Sequence, residues 1–171
     1  VASCLGHRLN LRGIFGPPHK LVTEATRRLC EAIRTNAPRS PVRFVLMNTT
    51  GYADRDLDEP RSFGEKAVIG LVRLLVPPQS DNEAAAEYLR TRIDRHREPI
   101  EWSVVRPDTL IDHDTVSAYT LHPSPTRSAI FNPGSTSRIN VADFMARLAT
   151  ETELWDTWKG KMPVIYNADD R

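Results

Sequence analysis

Residues 84–107 read Ala84-Ala85-Ala86-Glu87-Tyr88-Leu89-Arg90-Thr91-Arg92-Ile93-Asp94-Arg95-His96-Arg97-Glu98-Pro99-Ile100-Glu101-Trp102-Ser103-Val104-Val105-Arg106-Pro107, and the change of period inside this stretch decides the fold. In its first half Ala84, Ala85, Tyr88, Leu89 and Ile93 make one apolar helical face up to about Arg97, with Ser80 or Asp81 upstream as the cap and Pro99 as the stop. The second half, Ile100 to Val105, is a strand broken at Arg106-Pro107, because proline cannot donate to a sheet ladder. The same alternation recurs upstream. Leu21, Val22, Ala25, Leu29, Ala32 and Ile33 share a helical face after the start signal Pro17-Pro18. A breaker over residues 36–41 follows, and Val42 to Met47 is a buried strand running into the turn-prone Asn48-Thr49-Thr50-Gly51. Strands alternating with helices of this length imply right-handed crossovers, so the predicted fold is α/β, a parallel sheet flanked by helices.

The remaining segments are less regular. Tyr52 to Gly64 lacks a period and reads as a surface loop, while Glu65 to Val76 looks helical until Pro77-Pro78 stops it. The region from Ile111 to Ser137 is a proline-bearing insertion with two short strand candidates, Ala118 to Leu121 and Ser128 to Phe131. Asn140 then caps a helix from Val141 to Ala149, and Met162 to Tyr166 offers a last strand after the Trp155/Trp158 pair.

Bulk properties exclude several classes. The 23 basic residues nearly cancel the 22 acidic ones and no basic run recurs on a helical face, which leaves no electrostatic footprint for nucleic acid or an anionic membrane. The longest apolar stretch, Ala67 to Val76, is interrupted by Gly70 and Arg73 and is too short to span a bilayer. Cys4 and Cys30 lie in apolar surroundings in a chain too large to need stapling, so a reducing, cytoplasmic setting is expected. At 171 residues, one domain over 1–171 is expected. The chain does not begin with Met and opens on what reads as an interior strand, so an N-terminal half is expected to be missing.

The order of motifs carries a resemblance. A strand to Ser3-Cys4-Leu5-Gly6, a long helix, a strand to Asn48-Thr49-Thr50-Gly51, a helix with Ala86-Glu87-Tyr88-Leu89-Arg90 and then Trp102 to Pro107 together resemble the atypical short-chain dehydrogenase/reductase family, including its NmrA-like and NAD(P)H-binding branches. The tail Ser137-Arg138-Ile139-Asn140-Val141-Ala142-Asp143-Phe144 is similar to a late segment of that family, with Asn140 in place of the usual Asp. The resemblance implies a partial Rossmann-type sheet with a small irregular C-terminal substrate-side region, a cofactor that is NAD or NADP, and a small-molecule substrate. By the same resemblance Ser3, Cys4, Leu5 and Gly6 line the ribose side of a dinucleotide, Asn48, Thr49 and Thr50 face the nicotinamide and substrate, and Arg106 and Pro107 flank the nicotinamide. These positions suit the general rule that ligands of open parallel sheets bind beyond the carboxyl ends of the strands.

Two departures accompany the resemblance. The Gly-rich turn that seats a pyrophosphate on a helix N-terminus is absent, and Gly13-Ile14-Phe15-Gly16 leads into Pro17-Pro18 without following a strand into a helix. Typical members also place Tyr and Lys four residues apart on one helix face, whereas here Tyr88 is followed by Arg92, and Glu83 or Asn82 stands near the place of a Lys. Thr49, as a substrate-orienting hydroxyl, and Tyr88 are therefore the catalytic candidates. The expected function is hydride transfer by an NAD(P)-dependent oxidoreductase. The alternatives are a non-catalytic NmrA-like binding module and a truncated fragment without activity.

The other reactive residue types have simpler readings. Asp112-His113-Asp114 is read as a solvated loop and not a metal site, because adjacent residues rarely converge on one ion. Cys4 beside His7 is read as a small hydrophobe at a strand end and not as an activated nucleophile. Trp155 and Trp158 are read as a plug between the last helix and the sheet, and Arg106 as a candidate partner of Asp108 or Asp112. An exposed sheet edge offers a surface for assembly as a homo-oligomer.

Overall fold

A computed structural model describes residues 1–8, 10–57, 59, 64, 68–71, 77–93 and 99–168. Its elements are β1 (Ala2–Ser3), α1 (Leu11–Phe15), α2 (Leu21–Thr35), β2 (Val42–Met47), α3 (Pro77–Arg92), β3 (Ile100–Pro107), β4 (Thr109–Ile111), β5 (Tyr119–His122), β6 (Ser135–Ser137), α4 (Arg138–Thr150), α5 (Thr152–Trp158) and β7 (Val164–Asn167). The main sheet runs β1-β2-β3-β7-β5, and β4 pairs with β6 apart from it. β2 and β3 lie parallel from Val42↔Ile100 to Met47↔Val105, β1 adds Ser3↔Leu46, and β7 continues the other side with Arg106↔Val164. β5 closes that edge antiparallel to β7.

Side-chain alternation along β2 and β3 splits the core into two layers, since successive residues of a strand face opposite sides. Phe44, Leu46, Ile100, Trp102 and Val104 meet Val22, Cys30 and Ile33 of α2 and Ala85, Ala86 and Leu89 of α3. Val45, Val105 and Ile165 meet Val141, Phe144, Met145 and Leu148 of α4 and Trp155 of α5. Strands covered on both faces read as near-continuous apolar runs, which is why 42–47 and 100–105 are legible as strands. Trp155 fills the expected gap: it is buried, its Nε1 donates to Glu101 Oε2 at 2.6 Å, and the Arg43 guanidinium stacks over its ring.

Several local expectations are corrected. Pro77-Pro78 begin α3, where a missing N–H belongs to the unpaired first turn and the fixed φ is already helical. Of the helix expected over 65–76, residues 68–71 are helical and 65–67 and 72–76 lie outside the described residues, as do 94–98 at the end of the next helix. Ser80 and Asp81 accordingly lie inside α3, and Asp81 caps a different helix, as described below. Strand β3 passes through Arg106-Pro107 because Arg106 N donates to Pro163 O at 2.8 Å and the Pro107 carbonyl accepts from Thr50 N at 3.2 Å, so the absent donor is tolerated at the strand end.

Residues 128–131 form a turn, with the Ser128 hydroxyl accepting from Ile130 N and Phe131 N, and the strand in this region is β6. Ser137 caps α4 by accepting from Asn140 N at 3.3 Å. Asn140 is an interior residue instead: its side chain accepts from Ser117 N and donates to Ser117 Oγ and Asn167 Oδ1.

Candidate functional site

Because β1, β2 and β3 are parallel, the residues after each strand gather at one edge: Ser3 to Gly6, Asn48 to Gly51, and Arg106 to Asp108. The second group is built by local bonding. Asn48 N donates to Val105 O at 2.8 Å, and Asn48 Nδ2 ties the loop to α3 through Asn82 O at 2.8 Å. Thr49 Oγ1 accepts from Gly51 N at 3.2 Å, a bond that leaves its own proton unused. Gly51 faces α3 so closely that a Cβ there would come 2.9 Å from Gln79 Nε2, which itself donates to Glu83 Oε1 at 3.0 Å.

On the α4 side of the strand ends lies a hollow of about 250 Å³ lined by Cys4, Met47, Leu110, Val141 and Met145, with Arg138 at its polar margin. Burial pushes the Cys4 thiol up, and its Sγ lies 3.7 Å from Met145 Sδ. Ser3, at the end of β1, is buried with no hydrogen-bond partner for its hydroxyl among the described residues. A dinucleotide needs an apolar slot for its ring, and the hollow provides that surface, while the Ser3 hydroxyl is buried on the opposite, α2/α3 side of the sheet with its register partner Leu46.

Towards α2, the loop after β1 is held by His7. Its Nε2 meets Asp81 Oδ2 at 2.7 Å, and its Nδ1 lies 3.2 Å from Gly13 O. The same carboxylate accepts from Val22 N, Thr23 N and Thr23 Oγ1, so a residue of α3 caps α2 and anchors the loop after β1 together. Burial alone would raise the Asp81 pKa, but the bonds from Thr23, His7 and the Val22 and Thr23 amides outweigh it and hold the carboxyl below its ordinary value. His7 is therefore turned to Asp81, while Cys4 meets Met145. A second hollow, of about 340 Å³, is lined by Gly6, His7, Gly13 and Gly16.

The expected residues separate into three groups. Ser3, Cys4, Leu5, Gly6, Asn48, Thr49, Thr50 and Pro107 lie at the shared edge of the sheet. Arg106 is at the same edge, but its guanidinium is buried: Nη1 and Nη2 grip Glu59 at 3.1 and 2.6 Å, and the remaining N–H groups go to the carbonyls of Met162, Tyr52 and Pro123. Its partner is thus Glu59, not Asp108 or Asp112, and Asp112 pairs with Arg138. Tyr88 is not brought to Thr49. It lies on the α2 side of α3, packed against the core, with its hydroxyl accepting from Arg34 Nη1 at 3.4 Å.

Sequence reasoning missed Met47, Leu110 and Met145 as walls of the hollow, Asp81 as the brace of the loop after β1, and Asp108 as a carboxylate at the end of β3. Asp108, directly after Arg106-Pro107, was the one with a positional signal. It is half-buried and accepts from Gly134 N at 3.1 Å, from Thr109 N and from the Thr50 hydroxyl. No helix among the described residues is long and apolar enough to cross a membrane.

Comparison with known proteins agrees with this layout. The family model for NAD(P)H-binding matches residues 1–152. A search of the curated proteins returns no match. Among solved structures, a Bacillus halodurans protein named as an NAD-dependent epimerase/dehydratase superposes with TM-score 0.63 at 18% identity, covering 99% of this chain and 64% of that one. ChuY, an anaerobillin reductase from Escherichia coli O157:H7, gives 0.62 at 16% identity over 99% and 64%. A wide-type short-chain dehydrogenase/reductase from Veillonella parvula, in complex with NADP, gives 0.60 at 12% identity over 86% and 59%. The chain spans less than two thirds of each of these three proteins. With the family model matched across most of its length, the chain belongs to the NAD(P)H-binding family, and its mostly parallel, helix-flanked sheet is the Rossmann-type fold of these solved structures.

Proposed function

We propose that the strand-end cleft holds the nicotinamide half of NAD or NADP and that the protein is an oxidoreductase acting on a small carbonyl substrate. The observation that carries this reading is the apolar hollow lined by Cys4, Met47 and Leu110 at the carboxyl ends of β1 and β2, the place where ligands of open parallel sheets bind. When bound, a reduced dinucleotide supplies hydride. Ser3 to Gly6 take the ribose by backbone contacts, Asn48 keeps the loop of Thr49 and Thr50 seated against α3, Thr49 offers its unused proton to the substrate, and Pro107 gives the ring a rigid neighbour. Arg106 serves the site by bracing it, since its guanidinium is spent on Glu59 and three carbonyls. The NADP complex of the Veillonella protein and the reductase activity named for ChuY support the choice of cofactor and reaction class.

One observation favours the second reading, a dinucleotide-binding module without hydride chemistry. Tyr88 bonds to Arg34, and the side chains of α3 that approach the Asn48–Gly51 loop are Gln79 and Glu83. Titration with NADPH and NADH, followed by nicotinamide fluorescence and thermal shift, tests what the two readings share. Saturable binding with a raised melting temperature is expected, and a folded sample that binds neither form refutes both.

A further inference from the structure

We propose that the sulfur atoms of Cys4, Met47 and Met145 form a binding site for a soft monovalent cation, Cu(I). Register and packing bring the three side chains together. The parallel ladder pairs Ala2 with Val45 and Ser3 with Leu46, so Cys4 and Met47 follow one step beyond its last rung, on neighbouring strand ends. Successive residues of a strand face opposite sides: Leu46 belongs to the layer under α2 and α3, and Val45 and Met47 to the layer under α4. Cys4, one residue past Ser3, turns the same way as Met47 and meets α4, where its Sγ lies 3.7 Å from Met145 Sδ. All three side chains line one hollow of about 250 Å³.

The donor set selects the ion. Thioether sulfur is a soft, polarisable ligand that suits Cu(I), whereas zinc and harder ions complete their shells with further thiolates, imidazole or oxygen. The other apolar walls, Leu110, Val141 and Ala142, offer none of these. Metal–sulfur bonds of about 2.3 Å in a trigonal plane set two sulfurs roughly 4 Å apart, so the Cys4–Met145 spacing of 3.7 Å needs little adjustment to close on one ion. Cys4 is exposed, which gives the ion a way in, while Met145 is buried and fixed in α4.

Charge selects the valence. As the sulfur–copper bond forms, the Cys4 thiol releases its proton to solvent, and a thiolate joined to a monovalent ion is neutral. The apolar walls then enclose no net charge, whereas a divalent ion would leave a positive charge among them. Arg138, at the margin of the hollow, has its own charge matched by Asp112 at 2.7 Å.

The test is a titration of the whole chain with Cu(I), kept reduced by ascorbate without oxygen, against bicinchoninate as the competing chelator. No dinucleotide is present, because the ion asks nothing of one. One ion per chain is expected, with thiolate-to-copper charge-transfer absorption in the ultraviolet and three sulfur neighbours by X-ray absorption. Cys4→Ser is expected to abolish uptake. Met47→Leu and Met145→Leu keep volume and apolarity, so the fold is expected to hold, checked by circular dichroism. Each is expected to leave two sulfur neighbours and to weaken binding by at least the roughly 10- to 100-fold that losing an outer-shell partner costs a metal site.

Wild-type protein that takes no copper from bicinchoninate overturns the proposal. A Cys4→Ser variant that binds like the wild type overturns it too, since the ion then sits elsewhere. Wild-type affinity in either Met variant reduces the site to a bare thiol and has the same effect. All three results leave the dinucleotide reading of the cleft standing, because that reading is tested in its own titration.

Discussion

Replacing Asp81 by Ala tests whether one carboxylate holds two pieces of this fold. Its side chain is 1% exposed and accepts from Val22 N at 2.8 Å, Thr23 N at 3.0 Å, Thr23 Oγ1 at 2.6 Å and His7 Nε2 at 2.7 Å. Losing a helix cap costs about 0.5–2 kcal/mol, and each buried donor left without a partner costs about 1–3 kcal/mol. With α2 amides and the His7 ring stranded together, the expected loss is about 3–5 kcal/mol, which for a chain of this size lowers Tm by roughly 10 °C. The assay is urea denaturation followed by tryptophan fluorescence, with circular dichroism as a second probe. The folded-state pKa of Asp81 is depressed, so its contribution is present above the unfolded value of about 3.9 and fades as pH falls through the lower folded value. The gap between wild type and variant must therefore close on acidification below about pH 4. A loss under about 1 kcal/mol at neutral pH, or a gap that does not change with acid, would refute the capping argument.

Three further outcomes are expected. Removing either partner of the buried Arg106–Glu59 pair, as in Arg106→Met or Glu59→Met, destabilises by about 3–5 kcal/mol in denaturation, and the double Met variant recovers much of that loss because no buried charge is left unpaired. Asn140→Asp lowers stability by about 1–3 kcal/mol, since a carboxylate oxygen replaces the amide that donates to Ser117 Oγ and Asn167 Oδ1. Tyr88→Phe leaves dinucleotide affinity at the wild-type value in a fluorescence titration, because its hydroxyl touches Arg34 and not the cleft.

The parts of the fold that depend on local pattern were legible. Val42 to Met47 is a strand with the expected bounds, and the apolar face from Leu21 to Ile33 is α2 but for two residues at its end, because buried strands and amphipathic helices print their periods directly on the chain. Pro77-Pro78 were misread for a physical reason: proline is excluded from a helix interior but welcome in its first turn, so the dipeptide ends one helix or begins the next with equal local logic. Asp81 carries a capping side chain, and which helix it caps is decided by the packing of α3 on α2. Strands β4 and β6 are three residues each of mixed polar composition and exist through their pairing with one another, not through propensity. The site divides in the same way. Strand ends follow from the alternation of helices and strands, so Ser3 to Gly6 and Asn48 to Thr50 could be named. The far wall of the hollow comes from Val141 and Met145, whose helix approaches the edge from residues distant in sequence.

The placement of β7 has a bearing on how this chain folds as it is made. It is inserted between β3 and β5 at the end of the described sequence, and it carries the Met162 carbonyl that receives Arg106 Nε just before it begins. No strand of the main sheet pairs across a tight hairpin among the described residues, so every ladder must wait for a loop to close before it returns any hydrogen bonds. The chain can thus form α2 and α3 early, but β3 keeps an open flank, and Arg106 Nε lacks its acceptor, until residues 162–167 come into place. Folding is expected to be slow, with a window in which β3 offers its unpaired edge to other chains.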